Sequence, residues 1–117
     1  MDIDRIRKYC LSKKGVTEEF PFDENTLVYK VMGKMFLLAS LEKTPLTVNL
    51  KCDPALAAEL REKYESVLPG YHMNKKHWNT IILDGSVRPD ELFAWIDHSF
   101  ELVVKGLKKS LQAKIAK

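Results

Sequence analysis

Apolar positions along the chain repeat at two spacings, one suited to helices and one to strands. Ile3, Ile6, Cys10 and Leu11 recur at helical spacing with Arg5, Lys8 and Lys13 on the other face, predicting an amphipathic helix over 4–14 stopped by Gly15. From Val16 to Asn25 the pattern is lost among Glu18, Glu19, Pro21, Asp23 and Glu24, so this stretch reads as a loop pinned by Phe20 and Phe22. Leu27, Tyr29 and Val31 then alternate with Val28, Lys30 and Met32, and Met35 to Ser40 forms a second strand-compatible run. Gly33-Lys34 between them predicts a tight hairpin with Lys34 at its tip. After a turn at Glu42-Lys43-Thr44-Pro45, Leu46, Val48 and Leu50 alternate with Thr47, Asn49 and Lys51, a strand with one wet face.

Asp53-Pro54 is a helix start, because the Asp oxygen caps an orphan amide and proline gives up an amide that had no partner. Leu56, Leu60 and Tyr64 mark its inner face, and its end is expected near Ser66, before Pro69-Gly70. Trp78 to Leu83 predicts a fourth strand, closed by Asp84-Gly85. Pro89, Asp90 and Glu91 open a last helix whose stripe runs through Leu92, Ile96, Phe100, Val103, Leu107 and Leu111, with Lys105, Lys108 and Lys109 toward its negative end. The order helix, three strands, helix, strand, helix, with tight turns between the first three strands, predicts an α+β fold. A three-strand antiparallel meander plus a fourth strand would carry the helices on one face and leave the other free for a partner.

A chain of 117 residues holds one hydrophobic core, so residues 1–117 are read as a single domain. The formal charge of +3 is too small to argue for a nucleic-acid or membrane partner, but its distribution is uneven. Acids crowd 17–25 and lysines crowd 105–117, where the last residues are expected to fray. Cys10 and Cys52 sit in apolar-periodic segments and read as free buried thiols. With no leader-like N-terminus and no apolar run of membrane-spanning length, a cytoplasmic protein is expected.

The chemistry is concentrated in Tyr71-His72-Met73-Asn74-Lys75-Lys76-His77-Trp78-Asn79-Thr80. As a nucleic-acid site, Lys75 and Lys76 would neutralise phosphates, Asn74 and Asn79 would bond sugar, phosphate or base edges, and Tyr71, His77 or Trp78 would offer a ring. Lys30, Lys34 and Lys51, on or beside strands, would extend the basic surface. The same block also reads as a solvated turn, with Trp78 in the core and His72 on a backbone carbonyl. His72 and His77, five apart and without a nearby acid or cysteine, do not make a metal site, and His98 reads as a polar surface position. No nucleophile elbow, phosphate loop or carboxylate pair points to catalysis, and Asp84 reads as a turn residue. A third class of function is a protein-interaction or small-ligand surface on the open sheet face, with Tyr29, Asn49 and Lys51 exposed.

Pro21-Phe22, the run Thr26 to Val31, Gly33-Lys34 with Met35-Phe36, the block Tyr71 to Trp78, Leu83-Asp84-Gly85, and Glu91-Leu92 through Ser99-Phe100 together resemble the MmcQ/YjbR family of small bacterial proteins. The resemblance covers nearly the whole chain, and the block from His72 to Trp78 is its most specific part. It implies a CyaY-like α+β fold of double-wing type and a DNA-binding role. The position after Ser99, often tyrosine in that family, is Phe100 here, which removes a hydroxyl. The expectation is a monomeric or weakly dimeric, non-catalytic DNA-binding module without cofactor or metal, using Lys30, Lys34, Lys51, His72, Asn74, Lys75, Lys76, His77 and Trp78. The alternative is a protein-interaction or small-ligand module on the same loop and open face.

Overall fold

In the computed structural model, which describes residues 1–70 and 73–116, helix α1 (Ile3–Leu11) begins where the Asp2 carboxylate accepts the Arg5 amide at 2.9 Å. It stops at Ser12, before Lys14. Gly15, at φ 80°, offers its carbonyl to the Met32 amide. It leads into β1 (Val16–Glu19), antiparallel to β2 (Thr26–Val31). The expected loop from Val16 to Asn25 is therefore strand in its first part. The acids that hide this strand are paired: Glu18 accepts both the Tyr29 hydroxyl and Arg7 Nε at 2.7 Å, and Glu19 meets Lys30 Nζ at 3.3 Å.

The hairpin to β3 (Lys34–Ser40) turns one residue earlier than expected, on Met32 and Gly33, at φ 49° and 85°. Positive φ at both central positions gives the twist that a two-residue hairpin needs. Lys34 accordingly opens β3 opposite Val31 instead of forming the tip. After β4 (Thr47–Lys51), Asp53 caps α2 (Pro54–Lys63) by accepting the Ala55 and Leu56 amides. That helix ends before Ser66, at an extended Tyr64, which frees Val67–Pro69 to form β5 against β6 (Trp78–Ile82). The apolar stripe of the last helix is also divided: α3 (Pro89–Lys105) ends at Gly106, and α4 (Lys109–Ala116) follows. Gln112 Nε2 donates to the Lys105 and Leu107 carbonyls, satisfying backbone groups that the break exposes.

The result is an α+β arrangement with one six-stranded antiparallel sheet, ordered β1-β2-β3-β4-β6-β5. The expected meander and added strand form its middle, and β1 and β5 are its unforeseen edges. Ile6 and Cys10 of α1, Ala57 and Leu60 of α2, and Leu92, Ile96 and Val103 of α3 form one core with Leu27, Tyr29, Val31, Leu37, Ala39, Val48, Leu50 and Ile81 of the sheet. Each large apolar side chain buried this way contributes roughly 1.5–3 kcal/mol. The helices thus pack on one face. Tyr29, expected on the open face, is fully buried in this core. Tyr9 joins α1 to α3 by donating to the Asp97 carboxylate and stacking on Phe93 at 4.2 Å.

A bulge in β3 shows how sheet and helix depend on each other. Tyr29 pairs with Leu37 but Lys30 pairs with Met35, so Phe36 has no partner on β2 and turns its ring inward, edge-on to Phe100. Ser99 of α3, fully buried, donates its hydroxyl to the Phe36 carbonyl at 2.5 Å and accepts the Lys51 amide at 2.9 Å. Ser99→Ala is expected to leave both backbone groups unpartnered and cost about 1–3 kcal/mol, read as a lower urea midpoint. An unchanged midpoint would contradict that role. The Arg7 hydrogen bond, supported by the Tyr29 hydroxyl, holds Glu18 below the usual glutamate range. The lowered folded-state value means that stability present above the ordinary glutamate pKa is lost as pH falls through the folded one. Glu18→Gln should flatten that acid limb, whereas an identical acid limb in the variant would show that the network is not responsible.

Candidate nucleic-acid interface

Register places Glu19, Val28, Leu38, Asn49, Thr80 and Leu68 in one row across all six strands. Their neighbours Leu27, Ala39, Val48, Ile81 and Val67 belong to the helix-covered core, so this row lies on the outer face. To one side of it stand Thr26, Ser40, Thr47 and Ile82; to the other stand Lys30 with Met35, and Lys51 with Trp78.

Trp78 does not present a free ring. It is 8 % exposed and forms a second, smaller apolar cluster with Val28 and Leu38, flanked by Met35 and Met73. The loop before it is tied from behind: Arg61 of α2 donates from Nε to Asn79 Oδ1 at 2.7 Å and from Nη2 to the Lys75 and Trp78 carbonyls. Asn79, 2 % exposed, also donates to the Ala57 carbonyl, so it knits α2 to β6 and is not available to a ligand as expected. Asn74 Oδ1 accepts the Lys76 amide at 2.9 Å, and the Asn74 carbonyl accepts the His77 and Trp78 amides. Gly70 sits where a Cβ would lie 2.8 Å from that of Trp78, so only glycine lets the two backbones pair there.

Of the residues singled out in the sequence, Asn74, Lys75 and Lys76 are exposed on this loop, and His77 is half-buried with its carbonyl on the Cys52 amide. Tyr71 and His72 lie outside the described residues. Lys30 is half-buried and paired with Glu19, while Lys34 and Lys51 line one depression with Met35 and the end of α3. His98 Nε2 accepts the Asp53 amide. The pairing gathers charge by position: Lys30, Lys34 and Lys51 stand at the end of the sheet where β6 begins, next to Lys75 and Lys76. At the opposite end are Asp23, Glu24, Glu42 and Asp84, together with Lys43. Asp53, at the lysine end, is engaged in capping α2.

Sequence reasoning missed the trough beside this cluster. Phe22, Thr26, Leu38, Ser40, Asn49 and Met73 line a cavity of about 310 Å³ on the outer face. Phe20 and Phe22, expected to pin their loop, are instead 50 % and 63 % exposed. Asp23 Oδ1 accepts the Asn25 and Thr26 amides, a signal of an Asx turn visible in the sequence, and these bonds hold its carboxylate below the usual range. The Thr80 hydroxyl donates to Asn49 Oδ1 at 2.5 Å, which turns the Asn49 NH₂ away from β6. Neither thiol is poised for chemistry: burial pushes Cys10 up to about 12 and Cys52 up to about 11. Among the described residues no three His, Cys, Asp or Glu side chains gather to hold a metal. Nor is any helix long and apolar enough to cross a membrane.

A family model named YjbR matches residues 11–102. The chain belongs to the YjbR family. The Escherichia coli protein YjbR is 32 % identical over 107 residues, spanning 92 % of this chain and 91 % of the relative. Escherichia coli YbdF is 38 % identical over 96 residues, covering 82 % and 79 % of the two chains. In three dimensions, the crystal structure of a Deinococcus radiodurans protein of the domain family DUF419 superposes with a TM-score of 0.91 at 39 % identity, covering 97 % of this chain and 87 % of that one. A Pseudomonas syringae protein gives 0.75 at 26 % identity, over 87 % and 98 %. YjbR membership fixes the fold and leaves the ligand to be argued from the outer face. Arg61 organises that face, so Arg61→Ala should lower stability by about 1–3 kcal/mol in urea titrations. Arg61→Lys should recover only part, since an ammonium lacks the fork that serves Asn79 and two carbonyls together. Full recovery by lysine would refute the clamp.

Proposed function

We propose that this YjbR-family chain is a non-catalytic DNA-binding module, cytoplasmic and monomeric or weakly dimeric, whose lysine-bearing end contacts phosphates. The observation that carries the reading is the convergence of Lys51, Lys75 and Lys76 at one end of a sheet whose outer face is free of helix among the described residues, with Lys34 at the same end but opposite the core residue Val31, on the side of α3. Strand ends and a clamped loop fix where these lysine stems leave the backbone, and Asn49 and Thr80 of the central row, with Ser40 and Thr47 of the next, supply hydroxyl and amide partners for sugar and phosphate oxygens. The buried thiols suit a reducing compartment. Short edge strands, β5 ending in Pro69 and β1 in two paired glutamates, discourage sheet-to-sheet association.

A second reading, a protein-interaction surface, draws on the exposed Phe20, Phe22 and Leu41 beside Asp23, Glu24 and Glu42 at the acidic end. The two readings differ in salt dependence. For the DNA module, fluorescence anisotropy with duplex and single-stranded oligonucleotides should give affinity that falls steeply with salt. The Lys75→Ala, Lys76→Ala variant should reduce the log-log slope by about two units. An unaltered slope would remove both lysines from the interface, and absence of binding at low salt would overturn the proposal.

A further inference from the structure

The trough between Phe22 and Met73 has a composition that phosphate contacts alone do not require. An exposed phenyl ring from the segment before β2 and a thioether from the loop before β6 line it, with Leu38 contributed by the sheet. Among the described residues, the polar groups of the lining are the hydroxyls of Thr26 and Ser40 and the Asn49 amide, all from the sheet. That is the lining expected for a flat group with two apolar faces and a hydrogen-bonding rim. The parts are also held in place. Phe22 precedes a turn closed by two bonds to Asp23, Asn49 is fixed by Thr80, and Met73 sits on the loop clamped by Arg61, its amide on the Gly70 carbonyl. A trough of about 310 Å³ has space for one nucleobase with part of its sugar.

Charge gives the site a direction. Asn49 and Lys51 are two residues apart on β4 and share the outer face, roughly 7 Å along the strand. A single nucleotide step spans that distance. Asp23 and Glu24 beside Phe22 repel phosphates from the far end, whereas Lys51, Lys75 and Lys76 attract them at the near end. A strand whose backbone crosses the lysine end would therefore direct a base toward the trough.

We infer that the trough receives one unpaired nucleobase, between Phe22 and Met73 with its edge on Asn49 and Ser40, so that the module prefers single-stranded to duplex nucleic acid. This inference rests on the nucleic-acid reading above. A base inside a duplex keeps its faces stacked and its edge paired, and it could enter only by being flipped out, at a cost that a single strand does not meet.

The test is anisotropy of the intact chain with labelled oligothymidine and with an abasic oligomer of the same length and charge. Oligothymidine should bind about tenfold more tightly, the scale of one aromatic base contact. Phe22→Ala and Asn49→Ala should each bring the ratio toward one without changing the salt slope, while Phe22→Trp keeps it. Phe22 is largely exposed, so its replacement leaves the core intact, and a thermal melt of each variant confirms folding. Equal affinity for the two oligomers, or a ratio that survives Phe22→Ala, overturns the base pocket and leaves the phosphate-binding module standing. Failure of both oligomers to bind overturns the module and the pocket with it.

Discussion

Trp78 leaves β6 on the side of the sheet that no helix covers, and the outer face takes its form from the burial of that indole against Val28 and Leu38. The contact is worth on the order of 4 kcal/mol if the ring loses most of its exposed area. It cannot form alone. Gly70 must lack a side chain for the backbone just past β5 to meet that of Trp78, Met73 must pack against the cluster, and Arg61 must hold the loop from the opposite face. A guanidinium on the helical side thereby positions groups on the ligand side.

The same arrangement links topology to electrostatics. Antiparallel pairing sends alternate strand termini to opposite ends of the sheet, so residues distant in sequence share an end whenever their places in their strands correspond. Lys34 starts β3, Lys51 ends β4, and Lys75 and Lys76 precede β6. Their coincidence gives a charge-polarised sheet from a chain whose net charge is only +3. Field direction matters more here than total charge, since it sets where a polyanion's backbone lies and which way its bases point.

The sequence was most legible where one physical signal acted alone. Asp53-Pro54 announces α2 by capping chemistry, and the alternation of Leu46 to Lys51 announces β4. Legibility failed where tertiary partners override local preference. β1 reads as loop because Glu18 and Glu19 dominate it, and nothing local reveals that Tyr29, Arg7 and Lys30 accommodate them. β5 is only three residues long and follows directly on a helical pattern. For the site, the lysines and the family resemblance were visible, but the burial of Trp78 and the exposure of Phe22 were not, because composition cannot tell which aromatic faces inward. Arg61 carried no signal at all: on the sequence it is one of several charged residues on a surface helix.

The claim that the helix-free face is where nucleic acid binds is tested most directly by a two-dimensional ¹⁵N–¹H NMR titration of the labelled chain with oligothymidine. Shifts are expected to be confined to the outer-face rows of β2, β3, β4 and β6, to the Phe22 segment and to 73–78, with the outward surfaces of α1 and α3 unmoved. Shifts that concentrate on those helices, or on the lysines of α4, would contradict that claim.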